Sequence, residues 1–172
     1  MVFDQTTAMP SQGKPAVRFS AADSGDDILG RAEELESLVQ RLLVAEQSTF
    51  QGEVSRFSLT VPQYVTLAAI ATFDGGKERM GLIAKMSRQC SATMTGIVDR
   101  LEAMGLVKRD NNPHDRRSVL VELTEAGWAK IEEVKGARRQ RLAAVLASIE
   151  PEMRVRIYEV LLQYADALEA RM

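Results

Sequence analysis

Residues 93–127 read "TMTGIVDRLEAMGLVKRDNNPHDRRSVLVELTEAG", and along them the hydrophobic period changes from that of a helix to that of a strand. Met94, Ile97, Val98 and Leu101 recur at spacings of three and four, which predicts a helix over 91–104 with those four side chains turned inward. Gly105 is its natural terminator. The runs "LVKR" at 106–109 and "SVLVEL" at 118–123 are short and β-prone, with Val119 and Val121 alternating against polar or outward positions. The polar turn between them makes the pair a two-stranded hairpin with Arg116 and Arg117 near its tip. Thr124 then caps a helix of about 22 residues that carries Trp128, Ile131, Val134, Leu142, Val145 and Leu146.

Outward from this centre the chain reads as further helices. Ile28, Leu29, Ala32, Leu35, Leu38, Val39, Leu42 and Leu43 mark a long amphipathic helix to about Val54, capped by Asp26 or Asp27. In "LTVPQYVTLAAIATF" Thr60 caps a second helix, Gln63 completes a capping box and Pro62 sits in the first turn. The "DGG" at 74–76 stops it. A short helix over 80–86 and the polar break "SRQCS" lead into the helix at 91, and Pro151 opens a last helix with Ile157, Val160, Leu161, Tyr164 and Leu168. Residues 1–25 mix Pro, Gly, Ser, Gln and Asp without period and read as a disordered or loosely docked extension. The expected order is four helices, a hairpin and two helices.

A chain of 172 residues, 45% hydrophobic and 27% charged, can bury a core and is read as one domain with an extension. One cysteine excludes an internal disulfide and fits a reducing compartment. The N-terminal stretch has no cationic start with an apolar run behind it, and no apolar run approaches bilayer length, so a soluble, cytoplasmic protein without membrane partner is expected. The net charge is −2, yet residues 77–117 hold nine Lys or Arg against five Asp or Glu. A basic centre between acidic ends is the footprint of a phosphate-binding surface on a protein that must stay soluble.

A short helix, a polar turn, a second helix and a hairpin compose a winged helix-turn-helix, in which the second helix enters the major groove and the hairpin reaches the flanking minor groove. The fold class expected is therefore mainly α with a small β-hairpin wing. With the apolar stripe inward, the second helix shows Ser91, Ala92, Thr93, Thr95 and Gly96, small groups able to approach base edges and phosphates, at an N-terminus that favours anions. Arg88 before this helix and Arg100 further along it are placed to find phosphates. An arginine on a narrow ribbon, Arg116 or Arg117, fits the minor groove, and Asp115 can accept from either guanidinium and hold the tip in shape.

"DRRSVLVELTEAG" resembles the wing signature of the MarR family of bacterial transcriptional regulators, Asp-x-Arg-x3-Val-x-Leu-Thr-x2-Gly, at Asp115, Arg117, Val119 or Val121, Leu123, Thr124 and Gly127. "TMTGIVDRLEAMGLVKR" is similar to that family's recognition helix and first wing strand, and "LTVPQYVTL" to its second helix. The resemblance spans about residues 28–170. It implies a MarR-like domain over 26–172, with the winged helix-turn-helix at 58–123 and dimerisation helices at 26–56 and 124–170. It further implies a homodimer on a pseudo-palindromic double-stranded operator, with half-sites ~34–36 Å apart. By this analogy Arg117 is the minor-groove arginine, Asp115 its orienting partner, and Ser91, Thr93 and Thr95 match positions that touch bases or phosphates. Gly96 departs from the pattern, since many relatives carry a long polar residue there, which shifts sequence reading toward Arg100, the wing and DNA shape. The function implied is a repressor released by a small aromatic or phenolic ligand held between the dimerisation helices and the winged module. Tyr64, Phe57 and Trp128 are aromatic candidates for that crevice, although core or interface packing accounts for each as well.

Several plainer readings stand beside these. Arg116 and Arg117 also read as a solvated loop pair. Cys90, at the start of the recognition helix, reads either as a redox-sensitive thiol or as a small residue filling a tight turn. His114 lies in the hairpin turn, and with one His and one Cys no nucleophile and base pair, metal cluster or Gly-rich phosphate loop is evident, so neither catalysis nor a cofactor is expected. The competing class is a helical protein-interaction module.

Overall fold

The computed structural model describes residues 28–111 and 118–171. The extension at 1–25, the caps at Asp26 or Asp27, and the tip residues His114, Asp115, Arg116 and Arg117 lie outside the described residues. By internal contacts the chain divides into one unit ending at Gln40 and a second from Arg41 to Met172. Of the first unit, residues 28–40 are described, as the opening turns of α1 (Ile28–Arg56), with Ile28, Leu29, Leu35 and Leu38 exposed.

In the second unit α1 continues and is followed by α2 (Val61–Ile70), a 3-10 turn (Asp74–Gly76), β1 (Lys77–Arg79), α3 (Met80–Met86), α4 (Ser91–Ala103), β2 (Val107–Asn111), β3 (Val119–Leu123), α5 (Glu125–Ala147) and α6 (Pro151–Glu169). The capping box of α2 is complete: the Thr60 N–H donates to Gln63 Oε1 at 2.8 Å and the Gln63 N–H to Thr60 Oγ1 at 3.4 Å. The inward stripe of α4 is as expected, with Met94, Ile97, Val98 and Leu101 all buried. They meet Leu67 and Ile70 of α2, Ile83 of α3, Val121 and Leu123 of β3, and Ile131 and Val134 of α5 in one core.

The sheet corrects the two-stranded expectation. It has three antiparallel strands in the order β1-β3-β2, so the hairpin's second strand is central and β1 covers its outer edge. "KER" at 77–79 has no β-branched or aromatic residue to announce a strand. Its pairing is tertiary: Lys77 lies opposite Glu122, Glu78 opposite Val121 and Arg79 opposite Leu120. Glu122 then accepts from Lys77 of β1 at 3.1 Å and from Lys108 of β2 at 2.9 Å, one carboxylate between the two outer strands.

Thr124 joins the sheet to α5. Its hydroxyl donates to the Gly105 carbonyl at 2.7 Å and accepts the Gly127 N–H at 3.0 Å, while its own N–H donates to the Leu106 carbonyl at 3.1 Å. A Cβ on Gly127 would run into the Leu106 carbonyl oxygen. Thr and Gly three apart thus hold the end of α4's turn against the start of α5. The apolar residues of the last two helices behave differently: Leu142, Val145 and Leu146 of α5 and Tyr158, Val160, Leu161, Tyr164 and Leu168 of α6 are exposed on the single chain.

Candidate nucleic-acid interface

Two helix ends build the surface. α3 closes with Arg88 in the left-handed region (φ 54°), where its N–H donates to the Lys85 carbonyl and the Gln89 N–H to the Ala84 carbonyl. α4 closes in the same way through Gly105 (φ 71°), with the Gly105 N–H on the Glu102 carbonyl and the Leu106 N–H on the Leu101 carbonyl. The first turn directs the chain from α3 into the N-terminus of α4, and the second directs it from α4 into β2. Arginine rather than glycine at the first closure carries a backbone cost of about 1 kcal/mol.

The sequence-expected residues gather on one side of α4. Ser91, Thr93, Thr95 and Arg100 are exposed, as are Ala92 and Gly96, and Arg88 is exposed at the turn before them. Around the Gly96 position a Cβ would meet nothing within 4 Å. Cys90 is the residue before the first turn, and its side chain makes no capping hydrogen bond. Its Sγ lies 3.0 Å from Thr93 Oγ1. The Thr93 hydroxyl, together with the N–H groups of Thr93 and Ala92, holds the Cys90 thiol pKa below its usual value despite a small opposing effect of burial. Thr95 Oγ1 donates back to the Ser91 carbonyl at 3.3 Å.

The basic centre is divided by its pairing. Lys77 bridges Asp110 at 2.9 Å as well as Glu122, Lys108 bridges Glu122, Arg79 meets Glu78 at 3.4 Å, and Arg109 meets Asp99 and Glu102, each at 2.6 Å. Arg88, Lys85 and Arg100 enter no ion pair among the described residues. A local charge count treats these cations alike, and only the fold separates those that staple the sheet from those left for a ligand.

A crevice of about 310 Å³ lies between α1 and the start of α2, lined by Gln47, Phe50, Gln51, Ser55, Thr60, Val61 and Pro62. The expected aromatics are elsewhere. Tyr64 is a buried core residue edge-on to Phe50 at 5.5 Å, Phe57 packs on the core with Lys130 Nζ 5.9 Å from its ring, and Trp128 is 39% exposed with its ring against Gly76. Phe50, which sequence reasoning did not select, is the aromatic on the crevice, and the Arg138 guanidinium lies 5.4 Å from its ring centroid. Its place one helical turn before Val54 on α1 was a signal for core packing alone.

No helix among the described residues is long and apolar enough to cross a membrane, and among them no cluster of His, Cys, Asp and Glu could hold a metal ion. A family model described as MarR family matches residues 59–119. The HTH-type transcriptional repressor NicR of Pseudomonas putida is 33% identical over 137 residues, covering 80% of this chain and 85% of its own. Among solved structures, a MarR family protein from Bacillus stearothermophilus matches with TM-score 0.70 and 27% identity over 85% of this chain and 99% of its own. BpsR of Bordetella bronchiseptica, whose DNA binding is regulated by 6-hydroxynicotinic acid, matches with TM-score 0.55 and 30% identity over 77% of this chain and 98% of its own.

Proposed function

The chain belongs to the MarR family, and from that premise we propose that it is a sequence-specific double-stranded DNA-binding transcriptional regulator, a repressor released by a small ligand. The observation that carries this reading is the face of α4: small exposed residues at Ser91, Thr95 and Gly96, with Arg88 and Arg100 unpaired among the described residues on either side. Thr93 joins that face through its contact with Cys90. Arg116 and Arg117, oriented by Asp115, belong to the reading by their sequence signature. Backbone-directed arginines supply salt-dependent affinity, and the helix face supplies base discrimination.

A second copy of the chain is the partner that suits α5 and α6. Exposed Leu142, Leu146, Tyr158 and Leu161 exceed what a lone domain leaves to water, and pairing them would set two α4 helices for half-sites ~34–36 Å apart. The crevice beside Phe50 suits a small aromatic ligand, its ring facing Phe50 and its polar groups meeting Gln47, Gln51, Ser55 and Thr60. The regulation of BpsR by 6-hydroxynicotinic acid supports that chemical class. A regulator of this kind works on the chromosome in the cytoplasm and needs no catalytic group.

Selection of genomic fragments by the purified protein, with footprinting of those retained, tests the reading. Enrichment of a pseudo-palindromic site, released by 6-hydroxynicotinate or a related acid, is expected. Retention of random duplex as well as any genomic fragment would overturn it.

A further inference from the structure

Arg109 stands on β2, yet its bonds lead to α4. Its Nη1 donates to Glu102 Oε2 at 2.6 Å, its Nη2 to Asp99 Oδ1 at 2.6 Å and to the Thr95 carbonyl at 3.4 Å, and its backbone N–H to Glu102 Oε1 at 3.1 Å. One side chain of a sheet strand therefore holds three positions, 95, 99 and 102, that succeed one another by four and three along one flank of α4. Of the other sheet cations, Lys77 and Lys108 have partners on β2 and β3, and Arg79 meets its neighbour Glu78 on β1. Partial burial works against the Arg109 charge, and the Asp99 and Glu102 carboxylates outweigh it and raise its pKa above the usual guanidinium value.

We propose that Arg109 is a positioning residue for DNA reading, fixing α4 to the wing strand and cancelling the two carboxylates that α4 would otherwise present to the duplex. The inference rests on the DNA-binding reading above. Asp99 and Glu102 are exposed and close to the face that carries Thr95 and Gly96. Left uncompensated, both would repel phosphates. A guanidinium fork can satisfy two carboxylates and a carbonyl at once in a plane, which an ammonium cannot, so charge and geometry are separable by substitution. Rotation of α4 relative to β2 would move the reading face out of register with the wing, and a displacement of about 1 Å is enough to spoil a preorganised site.

The test measures affinity for the selected fragment and for a random duplex of equal length, in full-length wild type, Arg109→Ala, Arg109→Lys and the double variant Asp99→Asn/Glu102→Gln, with thermal unfolding as a control for folding. Arg109→Ala should lose at least about tenfold in the ratio of specific to random affinity. Arg109→Lys should recover affinity for random duplex without recovering the ratio. Asp99→Asn/Glu102→Gln should bind random duplex more tightly than wild type and discriminate less. Folded Arg109→Ala with a ratio within twofold of wild type overturns the proposal while the functional reading stands. Should Arg109→Ala fail to fold, ratios within twofold of wild type in both the lysine and the double variant overturn it equally. A wild type that does not discriminate sinks the functional reading and this inference with it.

Discussion

Arg141 of α5 donates its Nε–H to Glu53 Oε1 of α1 at 2.7 Å, and its Nη2 reaches Glu46 Oε1, about two turns earlier on the same face of that helix, at 2.9 Å. Glu53 is only 7% exposed, and its second oxygen, Oε2, is buried with no hydrogen-bond partner among the described residues. Arg138 adds a second guanidinium to Glu46 at 2.9 Å. Among the described residues Arg141 is thus the one guanidinium bonded to the nearly buried Glu53 carboxylate at the junction of α1 and α5. Replacing it with Ala should destabilise the fold by about 2–3 kcal/mol, below the ~3–5 kcal/mol of a fully buried pair because the arginine is partly solvated. Glu53→Gln, which removes the buried charge and keeps an acceptor, should cost about 1 kcal/mol or less. Denaturant unfolding of the two variants checks the order, and equal losses would contradict it.

Two glycines on α4 and α5 should respond in opposite directions to the same substitution. Gly127→Ala drives a methyl into the Leu106 carbonyl, backbone that also accepts the Thr124 N–H and has little room to give, so a loss of about 2–3 kcal/mol is expected. Gly96→Ala meets open space within an exposed helix and should add about 0.5–1 kcal/mol. Thermal melts of the pair decide this, with a stable Gly127→Ala as the contrary result.

The helices were legible because each carries its own instructions. Thr60 with Gln63, Thr124 with Gly127, the Met94 to Leu101 stripe and Gly105 fix boundaries and faces by local chemistry, and the structure places them where the pattern does. β1 was not legible, because Lys77, Glu78 and Arg79 become a strand only through β3's free edge and Glu122. The candidate interface divides in the same way. Exposure of Ser91, Thr95 and Arg100 follows from helical period, whereas the commitment of Arg109 to Asp99 and Glu102 depends on how β2 returns past α4, a distance no local pattern encodes. Leu142, Val145 and Leu146 read as apolar from sequence, but only the fold shows that the single chain leaves them uncovered.

Acid should loosen the α1–α5 junction. The hydrogen bond from Arg141 is the largest influence on Glu46; burial, next in size, opposes it, and the fields of Arg141 and Arg138 add to it, so that the pKa lies below its ordinary 4.5. A carboxylate with a folded pKa lower than its unfolded one stabilises the protein above the unfolded value and loses that contribution as pH falls through the folded value. Glu46→Gln should therefore be less stable than wild type near pH 7, with the difference closing as pH falls below 4.5. A difference that persists unchanged at the acid end would show that the ion pair is not its source.

Cys90 should be a reactive thiol. It is exposed, and the Thr93 hydroxyl and neighbouring N–H groups lower its pKa from 9.0. Its alkylation by iodoacetamide should accordingly show a midpoint below pH 9.0, and the adduct, sitting at the start of α4, should reduce duplex affinity at least about tenfold. Cys90→Ser should bind duplex and resist the reagent. Full affinity after complete alkylation would remove Cys90 from the interface.

On a duplex, the arginines around α4 and on the wing should neutralise phosphate charge, the wing arginine from within the minor groove, while α4 reads bases. Duplex affinity measured by fluorescence anisotropy across a series of salt concentrations tests this most directly. Log affinity should fall linearly with log salt in the wild type, and Arg100→Ala and Arg117→Ala should each flatten that slope by about 0.9. Affinity that ignores salt, or slopes identical in all three proteins, would contradict the account.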